Sequence, residues 1–243
     1  VVETEKATYT IPVGPIHPAL KEPVQLMLEI EGEKVVDTDI LMGQVHRSIE
    51  WLGMNRNNPV QSLYVAERIC GICSDSHPYA YVLAVEDAAH VTAPPRAQYI
   101  RTIIGELERI HSHYLWVGLA GHFIGYNTVW MWVWRYREPL LDIFELIMGN
   151  RNHYAINKVG GARRDILPEH YSKIEKYLDL LEEKNTMFTK AVLDDPVIRA
   201  RLEGVGILSK EDAVAYGVLG PTARGSGYAT DVRKDDPYDA YDK

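Results

Sequence analysis

The sequence has little of what several functional classes require. It contains only two cysteines in 243 residues, and they stand two apart, so no framework of distant disulfides can staple it. It has no surplus of positive charge: 26 Lys and Arg face 34 Asp and Glu, a formal charge of −8, with no basic cluster. Phosphate-backbone binding depends on such clusters, so nucleic acid is excluded as a partner. No apolar run reaches the roughly 20 residues needed to cross a bilayer. The nearest stretch, Thr128 to Gly149, is broken by Arg135, Arg137, Glu138, Pro139 and Asp142. Val1 to Lys6 show no basic region leading into an apolar one, so no secretory leader is expected and a cytoplasmic location is. Repeats, low-complexity segments and a glycine-rich phosphate loop are also missing.

What is present is globular: 46% hydrophobic residues are enough for one large core or two small ones. Thr8 to Pro12 and Val24 to Leu41 alternate apolar and polar residues around a turn at Glu31-Gly32-Glu33-Lys34, which predicts a small antiparallel sheet. From there the period becomes helical. Pro59 suits the first turn of a helix that runs past Val60, Leu63 and Ala66 and is expected to stop at Gly71. Asp75 or Ser76 is expected to cap the next helix. Ile100, Ile104, Leu107 and Tyr114 predict a long core helix from Arg96 to Gly118 or Gly121.

Thr128 to Gly149 predicts a further helix, kinked or interrupted at Pro139, and Tyr171 to Leu193 an amphipathic one. Ser209 with Asp212 resembles a capping box, and Gly217, Gly220, Gly225 and Gly227 read as loop. The expected fold is α+β and mainly helical: a small N-terminal antiparallel β-sheet over residues 1–53, then a long-helix bundle over 54–243. The polar, helix-free reading of Asp235 to Lys243 and the non-Met start give both ends the look of a fragment.

Chemistry centres on Arg68-Ile-Cys70-Gly-Ile-Cys73-Ser-Asp-Ser-His77. Two thiols at this spacing can grip one soft or borderline metal, and a helix N-terminus just after Cys73 is expected to favour its thiolate. A bare CxxC is also compatible with a thioredoxin-like pair, half of a structural zinc site completed by His46 or His77, or two inert buried thiols. Trp130, Trp132, Trp134 and Tyr136 suggest either core packing, the favoured reading, or a quinone- or partner-facing surface. Arg163, Arg164, Arg224 and Arg233 read as ion-pairing residues. His111 falls on the apolar stripe of the long helix and His113 off it.

The flanks of the cysteines narrow this. Arg-x-Cys-Gly-x-Cys-x-x-x-His resembles the first cysteine pair of [NiFe] hydrogenase large subunits, with Arg68, Cys70, Gly71, Cys73 and His77 all matching. Pro15-Ile-His17-Pro18, Gly43 to Gly53, Gly105 to His113 and Gly160 to Asp165 resemble the energy-converting, membrane-anchored branch of that family. The chain is also similar, over Val91 to Asp242, to the quinone-site 49 kDa (D-type) subunit of respiratory complex I, which lacks the pair.

The resemblance implies an oxidoreductase that interconverts protons and H₂ at a Ni-Fe centre carrying CO and cyanide. Cys70 would be a terminal ligand and Cys73 a bridging one, two of four thiolates. It implies Glu22 as a proton relay, Arg68 and His77 beside the metal, and Glu50 as a ligand of a secondary magnesium. In that Arg-x-x-Glu box Ser48 replaces the usual Gly. The implied partners are a small subunit with Fe-S clusters, membrane ion-pumping subunits holding the chain at the cytoplasmic membrane, and a ferredoxin donor. Two thiolates cannot complete the centre, so the chain alone is expected to be inactive. The alternatives are a nickel-free quinone-site subunit, a relative reducing sulfur compounds, and a zinc-binding structural or assembly protein.

Overall fold

The computed structural model describes residues 8–18, 20 and 22–243; Val1 to Lys6, read above for a leader, lie outside the described residues. The chain divides into two compact units, residues 1–56 and 57–243.

In the first unit β1 (Tyr9–Val13), β2 (Gln25–Glu31) and β3 (Lys34–Leu41) form an antiparallel sheet in the order β1-β2-β3. The turn at Gly32, φ 64°, joins β2 to β3 where a side chain would be strained. The unit ends with α1 (Ile49–Asn55), preceded by Ser48 at φ 56°. That left-handed backbone gives a physical reason for the glycine usual in the Arg-Gly-x-Glu box, which here is a serine.

The second unit is helical, as expected. It comprises α2 (Pro59–Glu67), α3 (Ser76–Ala89), α4 (Pro95–Phe123) and α5 (Asn127–Met148), then a β4 (Asn157–Lys158) and β5 (Gly161–Ala162) hairpin. After these come α6 (Pro168–Leu193), α7 (Pro196–Leu202), α8 (Lys210–Ala215), α9 (Gly220–Gly225) and α10 (Val232–Asp235). Ser209 caps α8 as expected, its hydroxyl accepting the Asp212 amide at 3.0 Å, while the Asp212 carboxylate accepts from that hydroxyl rather than closing the box on the Ser209 amide. Gly220 to Gly225, read as loop, is instead the short helix α9, whereas the tail read as helix-free holds only the last residue of α10, Asp235.

α4 and α5 form the core, with Ile104, Leu140, Ile143 and Phe144 fully buried. Of the kink or interruption expected at Pro139, the interruption does not occur: α5 runs through it. Proline costs a helix interior about 3 kcal/mol, and burial of Val133, Leu140, Ile143, Phe144 and Ile147 against α4 offsets this. The tryptophans are not core residues, contrary to the favoured reading. Val129, Val133 and Arg137 hold the buried stripe, which puts Trp130 and Trp134 on its half-buried flank and Trp132 at the surface.

The helices approach closely at Gly118, where an added Cβ would stand 3.1 Å from Val133 Cγ1 and 3.3 Å from its Cβ. Gly118→Leu is therefore expected to destabilise the second unit by roughly 1–3 kcal/mol through overpacking. A denaturant titration of the intact protein checks this, and an unchanged midpoint would show that the crossing is slack.

Candidate metal centre

The cysteine pair lies on the turn between α2 and α3. α2 ends earlier than Gly71: the Arg68 amide bonds back to Val65 and Ala66, which places Cys70 two residues beyond the helix cap. The turn then folds around one sulfur. Cys70 Sγ accepts the backbone N–H of Ile72 at 3.4 Å and of Cys73 at 3.3 Å, and Ser74 Oγ donates to the Cys70 carbonyl at 3.3 Å. The bond from the Cys73 amide to Cys70 Sγ brings the two cysteines together on one turn. They form no disulfide.

The floor of the turn is acidic and buried. Asp75 occupies the cap position of α3, yet its side chain does not cap the helix, contrary to expectation. Glu108 reaches across from α4 and does so instead. It accepts the Asp75 and Ser76 amides at 2.6 and 3.0 Å and the Ser76 hydroxyl at 2.7 Å, satisfying orphan N–H groups of the first turn.

Asp75 is thereby free to turn inward, where Oδ1 accepts from Asn157 Nδ2 at 2.7 Å and Oδ2 has no hydrogen-bond partner. Burial, then the Glu108 carboxylate, hold Asp75 well above the usual carboxylate range. Burial raises Glu108 as well, against the opposing pull of its hydrogen bonds to Asp75 and Ser76. Sequence reasoning missed Glu108. The available signal was its position: it lies four residues after Ile104 and three before His111, on the buried stripe of α4.

Glu67, also buried, binds the Arg68 guanidinium and the Ala155 amide. Arg68 donates further to the Tyr64 carbonyl at 3.2 Å, which anchors it at the end of α2. His77 is half-buried on the first turn of α3, and its ring hydrogen-bonds neither sulfur. His111 is fully buried against Arg137 and Phe144, its pKa pushed down to about 3 by burial and by the Arg137 charge, and His113 is exposed.

Arg224 and Arg233 pair with Asp231 at 3.6 and 2.6 Å, as expected of them. Arg163 instead lies over the Tyr64 ring at 5.7 Å, an exchange of ion pair for ring face. Glu22, between β1 and β2, and Glu50, in the first turn of α1, are exposed and belong to the first unit.

One expectation about the thiols fails in the metal-free chain. Burial, helped by Cys70 and by the Glu108 charge, pushes the Cys73 thiol up to about 12 from 9.0, overriding any pull from the α3 N-terminus. At pH 8 the thiolate fraction is then on the order of 1,000-fold below that of an unshifted thiol. Alkylation of Cys73 in metal-free protein is expected to be correspondingly slow and to accelerate as pH rises toward 12. The sign for stability follows: a pKa raised on folding stabilises the native state below pH 9, and this is lost as pH climbs from 9 through 12. Fast alkylation at pH 8 would contradict the burial argument.

Two adjacent soft donors, wrapped by amides that can stabilise thiolate charge, fit a nickel or other thiophilic metal as half of a four-sulfur set. Among the described residues no group of three or more His, Cys, Asp or Glu completes a site.

A close cysteine pair on a helix-to-helix turn, set in a bundle of long helices, is what comparison with known proteins has to place. Residues 47–118 match the nickel-dependent hydrogenase family, and residues 124–243 match the 49 kDa subunit of respiratory-chain NADH dehydrogenase. Membrane-bound hydrogenase subunit alpha of Pyrococcus furiosus is 46% identical over 223 residues, 92% of this chain and 52% of the relative. The carbon monoxide-induced hydrogenase of Rhodospirillum rubrum is 42% identical over 98% of this chain and 66% of the relative.

Among solved structures, a chain of the membrane-bound sulfane sulfur reductase, an archaeal respiratory membrane complex, superposes with a TM-score of 0.90 at 31% identity, over 98% of this chain and 63% of that one. The chain belongs to the large-subunit family that joins [NiFe] hydrogenases to the complex I 49 kDa subunit, with relatives in the membrane-bound hydrogenase branch. It spans about half to two thirds of the length of those hydrogenase relatives. No helix among the described residues is long and apolar enough to cross a membrane.

Proposed function

We propose that this chain supplies one cysteine pair of the Ni-Fe centre in a membrane-associated hydrogenase that carries out 2H⁺ + 2e⁻ ⇌ H₂. The observation that carries the reading is the convergence of Cys70 and Cys73 on one amide-wrapped turn, with Arg68 and His77 at the family spacing. When bound, the nickel-iron group polarises hydrogen and accepts or supplies the two electrons.

The chain's own residues would bind and tune it. Cys70 and Cys73 ligate, Arg68 lines the site from its Glu67 and Tyr64 anchors, and His77 stands one helical turn beyond Cys73. Glu22 moves the proton, and Glu50 supports a secondary magnesium. Electrons arrive from a ferredoxin through the Fe-S clusters of a small subunit. Membrane ion-pumping subunits hold the chain at the cytoplasmic face.

A second reading has a specific observation behind it. The match to the 49 kDa subunit covers residues 124–243, and the cysteines lie outside it. A nickel-free relative would use the same scaffold for a quinone, or for a sulfur compound as in the reductase it superposes on. Metal analysis of the intact protein purified anaerobically separates the readings. About one nickel per chain with viologen-driven H₂ evolution is expected; zinc without nickel would sink the hydrogenase reading.

A further inference from the structure

His153 enters the β4–β5 hairpin with a left-handed backbone, φ 53°, and Ala155 repeats this at φ 50°. Neither is a glycine, and such positions cost of order 1 kcal/mol or more each unless the surroundings impose them. The surroundings here are the cysteine turn. Glu67, before the pair, binds the Ala155 amide; Asp75, after it, accepts from Asn157. Between them, His153 Nε2 lies against Gly71, 3.8 Å from where a Cβ on that glycine would stand. Tyr154, between the two left-handed residues, turns its ring into the core 4.4 Å from Phe144 and anchors the strip.

Among the described residues the imidazole has no hydrogen-bond partner. Nδ1 is buried without a partner. Of the two neutral tautomers, a proton on Nδ1 would bury an unpaired N–H, the costlier omission, so the proton belongs on Nε2, the nitrogen that faces the cysteine turn. The amides of Ile72 and Cys73 already point at Cys70 Sγ, and a thiolate has lone-pair capacity for a further donor.

We propose that His153 is a positioning residue for the cysteine pair, its Nε2–H donating to a cysteine thiolate once the pair holds a metal, with the left-handed 153–155 strip keeping the ring in place. This rests on Cys70 and Cys73 being metal ligands. An N–H···S bond withdraws charge from sulfur, so its loss leaves a more electron-rich thiolate.

The test loads the metal-free intact protein with Co(II) and reads the thiolate-to-cobalt charge-transfer band in wild type, His153→Ala and His153→Asn. Asparagine accepts the left-handed backbone but is too short to reach the turn. In both variants the band is expected to move to longer wavelength, and Co(II) affinity to fall about 10- to 100-fold. Cobalt bound by His153→Asn with an unmoved band would overturn the proposal, even where His153→Ala fails to fold. A purely structural role would lower stability and leave the band in place. Wild type that binds no Co(II) through its thiols would overturn the ligand reading itself, and the proposal with it, so the two failures are told apart by which protein shows them.

Discussion

On the proposed hydrogenase reading, replacing Cys70 or Cys73 by serine is expected to strip nickel from the intact protein and to lower hydrogen turnover by at least about 100-fold, beyond the 10- to 100-fold typical of residues that only support a ligand. A serine oxygen is hard and scarcely ionises at neutral pH, whereas nickel in a sulfur-rich site selects soft thiolates. Cys70 Sγ is also the acceptor around which the turn folds, through the Ile72 and Cys73 amides. Cys70→Ser should therefore loosen the turn itself, whereas Cys73→Ser should leave the fold of the turn in place. Nickel content, H₂ evolution and amide exchange over residues 70–75 read these effects separately. Retention of about one nickel per chain in either variant would remove that cysteine from the ligand set.

The largest structural effect is expected at Arg101. Its side chain is fully buried in α4 and makes a bidentate pair with Glu86 of α3 at 3.0 and 2.6 Å. It also donates to the Lys158 carbonyl at 2.9 Å and the Gly161 carbonyl at 2.9 Å, and stands 3.6 Å from Asp239. Burial opposes its charge, but Glu86 and Asp239 more than offset this and hold its pKa above the ordinary value. Glu86 meanwhile accepts the Gly160 amide at 2.6 Å, so one ion pair fastens two helices, a hairpin and the C-terminal segment.

Arg101→Met would leave Glu86 buried and uncompensated, a loss of about 3–5 kcal/mol. Exchange of the amides over residues 157–162 should then accelerate about 100- to 4,000-fold, since each tenfold is about 1.4 kcal/mol. Adding Glu86→Gln to Arg101→Met should recover part of the loss, because the uncompensated Glu86 charge is removed while Asp239 still lacks its cation. Exchange slowed or unchanged in the single variant would show that the pair is not what holds the hairpin. Asn157 sits at the start of this hairpin and bonds Asp75, so the variant tests how far the cysteine turn depends on a support on another element.

The sequence determined the elements whose cause is local. Alternation marked β1 to β3, the stripe of Ile100, Ile104 and Leu107 marked α4, and the side chain of Ser209 marked the start of α8, because a residue's near neighbours settle periodicity and capping. The cysteine pair was equally legible, since two ligands at a fixed short spacing lie on one turn whatever the rest of the chain does.

Tertiary structure decided what surrounds that pair. Glu108 caps α3 from 33 residues away, Glu67 meets Ala155 across 88 residues and Asp75 meets Asn157 across 82. No local pattern encodes such encounters. The same distance explains the errors at Asp75, which yields its capping role to Glu108, and at Cys73, whose thiol is governed by burial more than by the helix beside it. Spacing along the chain chooses the donor atoms; the low-dielectric surroundings assembled from distant segments set their charge and hold their geometry.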